Sequence, residues 1–175
     1  NLANAQLRKG KPEAALPLLT RARELAPNDL EVQLALADTS FQSGHAGEAL
    51  AQLKILDEVP SADVQLAIGL LLQKHSRELE AAEHFSRYGR EDSEGLLALA
   101  EKSVNEQDYK LALALLEAAP AAARGSAAWH ALKGYSHFKL DQPKPALEHL
   151  QHAVRLDPRN EDYYLELAGP ERQLG

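Results

Sequence analysis

Residues 44–53, Gly-His-Ala-Gly-Glu-Ala-Leu-Ala-Gln-Leu, decide the fold, because the chain has already passed through the same pattern once. Gly10, Ala15 and Leu19 recur as Gly44, Ala49 and Leu53, all three displaced by the same interval. Downstream, Ala49 and Leu53 return as Ala81 and Phe85, then as Ala112 and Leu116, and then as Ala146 and Leu150. The last interval equals the first, and it also carries Asp141 to Gly175. A period of about 34 residues, with one small and one large residue four apart, marks a helical repeat array rather than a single central core. Such an array buries its apolar surface between neighbouring units, as a seam.

Composition agrees with helices and narrows the function classes. Ala, Leu, Glu, Gln and Arg are all good helix formers. Aromatics make up only 5% of the chain, so the core must be mostly aliphatic. The net charge of −7 argues against a nucleic-acid partner, which requires a basic face. The densest basic pair, Arg21 with Arg23, is too small for that role. With no cysteine in the chain, disulfides, thiolate zinc sites and cysteine nucleophiles are excluded, while the redox compartment stays open. The greasiest run, Leu66 to Leu72, is too short to span a bilayer, so direct membrane insertion is not expected. Asn1-Leu2-Ala3 falls mid-helix in the repeat register, and the sequence therefore reads as a piece of a longer chain.

Each unit reads as two helices. In the second, Asn28 and Asp29 supply N-cap chemistry, helix A runs from about Leu30 to Ser43, and Gly44 ends it as a left-handed cap. Helix B follows from about Ala46 to Glu58, and Pro60 breaks it. The first unit holds the end of a helix A (Leu2 to Lys9) and a helix B from Pro12 to Leu25, with Pro12 and Pro17 in or near its first turn. Units three to five repeat the plan at Ala62–Lys74 with Arg77–Tyr88, Ser93–Asn105 with Tyr109–Ala118, and Ala127–Leu140 with Pro143–Leu156. A last helix A starts near Glu161, and Pro170 should kink or stop it. The segment Ala118 to Ser126 suits either a loop or a short extra turn. The units fall at about residues 1–27, 28–60, 61–91, 92–125 and 126–159, with a partial unit at 160–175, in one continuous array.

These elements resemble the tetratricopeptide repeat family. The family pattern places Ala-x3-Phe or another large residue in helix B, and all five B segments carry it: Ala15/Leu19, Ala49/Leu53, Ala81/Phe85, Ala112/Leu116 and Ala146/Leu150. The small residue of helix A appears as Ala37, Gly69, Ala100, Gly134 and Ala168, and Pro27 and Pro158 stand at the closing position. Trp129 and Leu132 match Trp-x2-Leu, although Gly134 then arrives one residue late, which leaves the face of that helix open by one position. The physical reason for the pattern is close packing: two helices approach only where Ala or Gly meets Ala, and a larger residue overpacks by about 1–3 kcal/mol. The resemblance implies an all-α, right-handed superhelical solenoid of antiparallel helix pairs, with about five repeats and truncated ends.

It also implies that the A helices line a concave groove that takes a peptide or a helical segment of a partner protein. The matching positions share an i, i+4, i+7, i+8 spacing and so lie on one helical stripe. They are Leu34, Asp38, Phe41 and Gln42; Leu66, Leu70, Gln73 and Lys74; Leu97, Glu101, Val104 and Asn105; and Ala131, Tyr135, Phe138 and Lys139. The first unit adds Asn4 and Arg8. Apolar residues, aromatic anchors and charges of both signs on one stripe suit an amphipathic segment. The leucines equally suit contacts with neighbouring helices. Family members that dock chaperone tails clamp a terminal carboxylate with Lys, Asn and Arg. Asn4 matches one member of that clamp, but Ala35, Asp63 and Ala67 occupy others, so no such clamp is expected.

Seven histidines raise the question of metal. His149 and His152 are three apart on one helix, and His130 and His137 are seven apart on another, but two histidines need a third converging ligand. Glu148 and Asp157 fall on other faces, and no metal or cofactor is expected. The chain has no Gly-rich phosphate loop, no Ser-x-x-Lys and no His-Glu-x-x-His, and no catalytic residue is assigned. The reading is a protein–protein interaction scaffold. Two alternatives remain: a structural spacer that self-assembles through end faces bearing Leu2, Leu7 and Leu165, and a non-catalytic arm of a multidomain enzyme.

Overall fold

A computed structural model describes residues 2–175; Asn1 lies outside the described residues. Eleven α-helices run in chain order among them: α1 (Leu2–Arg8), α2 (Pro12–Leu25), α3 (Leu30–Gln42), α4 (Ala46–Asp57), α5 (Ala62–Lys74), α6 (Glu78–Glu91), α7 (Ser93–Asn105), α8 (Tyr109–Ala118), α9 (Ala127–Lys139), α10 (Pro143–Leu156) and α11 (Glu161–Leu174). A 3-10 turn, Ala123–Gly125, occupies the segment before α9. No strand occurs among the described residues. The helices gather into two compact units, Asn1–Ala81 and Ala82–Gly175, the division falling inside α6.

Local chemistry sets the helix ends. Asp29, Asp92, Asp108 and Ser126 each accept a hydrogen bond from the backbone N–H three residues on, which satisfies one of the free donors of a helix start. Pro12 and Pro143 open α2 and α10, where a missing N–H costs least. The A-to-B turns share one conformation. Gly10, Gly44, Ser76, Gln107 and Asp141 all have positive φ, between 56° and 79°. At each of them that residue's N–H bonds the carbonyl three back, and the next N–H bonds the carbonyl five back from itself: Gly44 N to Phe41 O and His45 N to Ser40 O, Gln107 N to Val104 O and Asp108 N to Ser103 O. Gly44 is thus the left-handed cap read from the sequence, and the same cap recurs at positions without glycine.

In the first unit α1 packs on α2, α2 on α3, α3 on α4, α4 on α5, and α3 also touches α5. Its core begins with Ala3, Ala15, Leu19 and Leu36, flanked by Leu7, Leu16, Leu18 and Ala35. In the second unit α7 packs on α8, α8 on α9, α9 on α10 and α10 on α11, while α7 touches α9 and α9 touches α11. The small/small contact is visible at Gly134: a β-carbon there would stand 2.7 Å from Leu150 Cγ and 3.1 Å from the Ala146 carbonyl oxygen. Gly134 is therefore the contact residue of α9, and the one-position ambiguity closes. Trp129 is also buried, its indole N–H donating to the Leu116 carbonyl at 2.9 Å.

Three local expectations need correction. Helix α11 does not stop at Pro170 but runs on to Leu174, with the proline ring fully buried. Burial of the ring offsets the hydrogen bond that Pro170 cannot donate to Glu166, four residues back. Pro17 lies inside α2, past its first turn, on an exposed position. Helix α6 extends past Tyr88 to Glu91, because Gly89 fits tightly beneath Leu96 and Asp92 then caps the next helix. Of the two alternatives for the stretch after Ala118, the structure takes the short extra turn, a 3-10 turn with Arg124 donating to the carbonyls of Ala119 and Glu117.

Candidate functional site

Helices α7, α9 and α11 are the A helices of the second unit, and they stand side by side. Between them lies a groove of ≈ 660 Å³. Helix α7 contributes Glu101, Val104 and Asn105, the turn that follows adds Gln107, and the first residue of α8 adds Tyr109. Ala128, Ala131, Leu132, Tyr135 and Lys139 come from α9, at spacings of three and four that hold one face. Asn160, Asp162, Tyr163 and Glu166 come from the start of α11. Asn160 caps that helix by accepting from the Asp162 N–H at 3.1 Å, which orients the first turn carrying the acidic side chains.

The groove combines aromatic rings with carboxylates. Tyr135 meets Tyr109 edge to face, the rings 6.2 Å apart, and the Lys139 ammonium sits 5.1 Å from the centre of the Tyr135 ring. That is a cation–π contact within the chain. Burial pushes the Glu166 carboxyl up to about 7, with the neighbouring Asp162 charge adding to the effect. Its Oε2 is buried and has no hydrogen-bond partner. Burial likewise raises the Tyr163 hydroxyl, helped by Asp157 and Glu166.

The remaining stripe residues behave differently. In the first unit Leu34, Asp38, Leu70 and Lys74 border a shallow hollow of ≈ 310 Å³ with Ala35, Ala67 and Leu71. There Asp38 accepts from the Lys74 ammonium at 2.8 Å and lies 2.7 Å from His75 Nε2. Burial pushes the Asp38 carboxyl up, but hydrogen bonds from Lys74, His75 and Gln42 outweigh it and hold the group below its usual range. Phe41 stacks on the His75 ring at 4.5 Å. Gln73 is half-buried with Oε1 unpartnered, and Asn4, Arg8 and Gln42 are exposed. Phe138 packs against the backbone of Gly169, where a β-carbon would lie 2.7 Å from the ring. Of the three aromatics on the stripe, Tyr135 lines the groove, while Phe41 and Phe138 join helices within their own units.

Tyr109, Tyr163 and Glu166 are groove residues that the stripe does not contain. Carried forward by one repeat, the stripe of α9 lands on Leu165, Gly169, Arg172 and Gln173, none of which line the groove. Leu165, Gly169 and Arg172 instead border a smaller hollow of ≈ 290 Å³ with Tyr135, Phe138 and Glu166. A separate cleft of ≈ 700 Å³ in the first unit runs between α2, α3, α4 and α5, with Ile55 and Val59 exposed at its edge, and contains no stripe residue.

The histidines of α9 and α10 do gather. His130 Nδ1 lies 3.1 Å from His149 Nδ1, so one ring donates and the other accepts. His130 stacks on His152 at 4.9 Å and His137 on His149 at 5.9 Å. Burial drives the His149 ring down to about 4, with Lys133 and the other histidines opposing its charge further. Among the described residues no group of three His, Asp or Glu is arranged to hold a metal ion, and no helix is long and apolar enough to cross a membrane.

Residues 6–71 match the model of the tetratricopeptide repeat family. The chain is similar to a thermophilic tetratricopeptide-repeat protein of Thermus thermophilus, at 19% identity and a TM-score of 0.46, covering 97% of this chain and 95% of that one. It is similar to the MamA protein of Desulfovibrio magneticus RS-1 from residue 41 on, at 25% identity and a TM-score of 0.39, covering 99% and 81%. It also matches the tetratricopeptide-repeat domain of P58(IPK) at 20% identity and a TM-score of 0.43, spanning 99% of this chain and 54% of that chain. No curated protein matches the chain.

Proposed function

We infer, for a chain that carries tetratricopeptide repeats over residues 6–71, that it is a protein–protein interaction scaffold holding a peptide or helical segment in the groove between α7, α9 and α11. Repeats of this family are in general non-catalytic interaction scaffolds. The observation that carries the finer reading is the convergence of Glu101, Asn105, Tyr135 and Lys139, from two successive A helices, on one groove with two further tyrosines, Tyr109 and Tyr163. Tyrosine supplies large contact area at low entropic cost and keeps a polar tip, which is why it anchors interfaces.

The test places a photo-reactive amino acid at Asn105 and crosslinks the chain to peptides selected on it from a displayed library. Crosslinks at Asn105, and at least tenfold weaker binding by Tyr135→Ala, are expected. Binding that ignores both positions would remove the groove assignment.

A second reading, self-association, is favoured by one observation. Leu165 on α11 is 74% exposed and Leu2 on α1 is 63% exposed. Leu7, by contrast, packs against the core and is not available. Sedimentation of the wild-type chain and Leu165→Ser over a range of concentrations separates the two: a dimer lost in the variant supports self-association.

A further inference from the structure

We propose that the groove of the second unit recognises its partner through one basic side chain, an arginine or a lysine, seated against Glu166 among Tyr109, Tyr135 and Tyr163. The inference rests on the groove reading above and names the chemistry of its occupant. Its starting point is an unmet need. The Oε2 of Glu166 is buried without a hydrogen-bond donor, and a buried carboxylate oxygen left unsatisfied carries its full desolvation cost. Two cations of the chain stand close by, but the Lys139 ammonium lies over the Tyr135 ring, and Arg172, which borders an adjoining hollow with Glu166, donates to the Ala168 carbonyl.

Charge points to the same occupant. The ionisable groups facing the groove are Glu101 from α7, Lys139 from α9, and Asp162 and Glu166 from α11, with Asp157 just before that helix acting on Tyr163. Carboxylates outnumber cations. The rings contribute a second attraction, because a guanidinium or ammonium binds over a tyrosine face, as Lys139 already does. A guanidinium satisfies both demands together: it donates in-plane hydrogen bonds to a carboxylate while its flat face stacks on an aromatic ring. An acidic or purely apolar side chain would leave Glu166 unpaired. Because burial holds the Glu166 carboxyl near 7 in the free chain, a cation that pairs with it also draws off its proton, so affinity should rise as pH rises from 6 to 8.

The experiment selects octapeptides from a displayed random library on the full chain at pH 8, then measures the selected peptides by fluorescence anisotropy. Three measurements follow: the peptide with its basic residue replaced by citrulline, a neutral shape match for arginine; Glu166→Gln; and Tyr135→Ala. The proposal expects a shared basic residue, with citrulline and Glu166→Gln each weakening binding at least tenfold. Citrulline needs no change in the protein, so this arm holds even if a variant folds poorly. Peptides that require Tyr135 but carry no basic residue, or that bind Glu166→Gln as well as wild type, would overturn the proposal and leave the groove reading standing. Peptides indifferent to Tyr135 would overturn both.

Discussion

Gly134 and Leu150 are in such close contact that a single β-carbon on the glycine would stand 2.7 Å from the leucine Cγ and 3.0 Å from its backbone nitrogen. The contact locks α9 to α10, and the backbone side of it cannot move away. Gly134→Ala is therefore expected to destabilise the second unit by about 1–3 kcal/mol through overpacking. Gly47, in the first turn of α4, would have nothing within 4 Å of an added β-carbon, and Gly47→Ala should stabilise by about 0.5–1 kcal/mol because alanine loses less entropy on forming a helix. Urea unfolding of both variants, followed by circular dichroism, checks the opposite signs. Equal effects would mean that space at position 134 is not limiting.

Ser76 and Gln107 hold the left-handed conformation that Gly10 and Gly44 adopt without strain. Ser76→Gly and Gln107→Gly are each expected to stabilise by about 0.5–1 kcal/mol, the relief of a side-chain clash reduced by the greater freedom of glycine in the unfolded chain. Asp141 has the same sign of φ but accepts from Gln173 at 2.7 Å, so Asp141→Gly should gain less. Thermal unfolding midpoints of the three variants give the ranking.

Glu166 and His149 shape the pH dependence in opposite directions. The Glu166 carboxyl is raised from its ordinary value of 4.5 to about 7, so the folded state holds its proton more tightly than the unfolded chain. The stability from this group is full below about 4.5 and is lost as pH climbs through 7. Glu166→Gln removes that loss and should stabilise the chain at pH 8 by about 1–2 kcal/mol, the full shift being reduced by partial exposure to solvent. Stability no greater than wild type at pH 8 would argue against a costly buried carboxylate.

The His149 ring is lowered from 6.5 to about 4. Its stabilising contribution is full above 6.5 and is lost as pH falls towards 4, because the unfolded chain takes up a proton that the folded one resists. His149→Gln should flatten that acid loss. Trp129, 5.6 Å from the His149 ring and the chain's single tryptophan, reports the change locally by fluorescence. An acid limb that is unchanged in the variant would place the loss elsewhere.

Asp38 ties α3 to α5 through Lys74 and His75. The Lys74 side chain is 56% exposed and the His75 side chain only 16%, so the two bonds should differ in worth. A double-mutant cycle of Asp38→Ala with Lys74→Ala is expected to give a coupling below about 1 kcal/mol, as exposed pairs do. The cycle with His75→Ala should give more, since His75 also stacks on Phe41. The reverse order would show that the ammonium, not the imidazole, anchors the contact.

How much of this was legible in advance depends on how local its cause is. Helices α2, α5, α7, α8 and α10 begin and end where the residues place them, because caps and prolines act within one turn. The stripe found Tyr135 and Glu101 because a helical face is periodic in sequence. It missed Glu166 and Tyr163, since the face that α11 turns to the groove depends on how that helix docks on α9. It also could not separate Tyr135 from Phe41 and Phe138, whose rings are engaged by His75 and by Gly169 from other helices.

By itself the sequence determined the helix pairs, the interval at which they recur and the small residues on which they close, since backbone hydrogen bonding and steric bulk are properties of neighbours along the chain. Only the tertiary structure decided that α11 continues through Pro170, that Ser76, Gln107 and Asp141 turn left-handed without glycine, and that a half-buried Glu166 shares a groove with three tyrosines. Each of those outcomes sets a local cost against packing between distant segments, and only the assembled helices fix the size of the packing term.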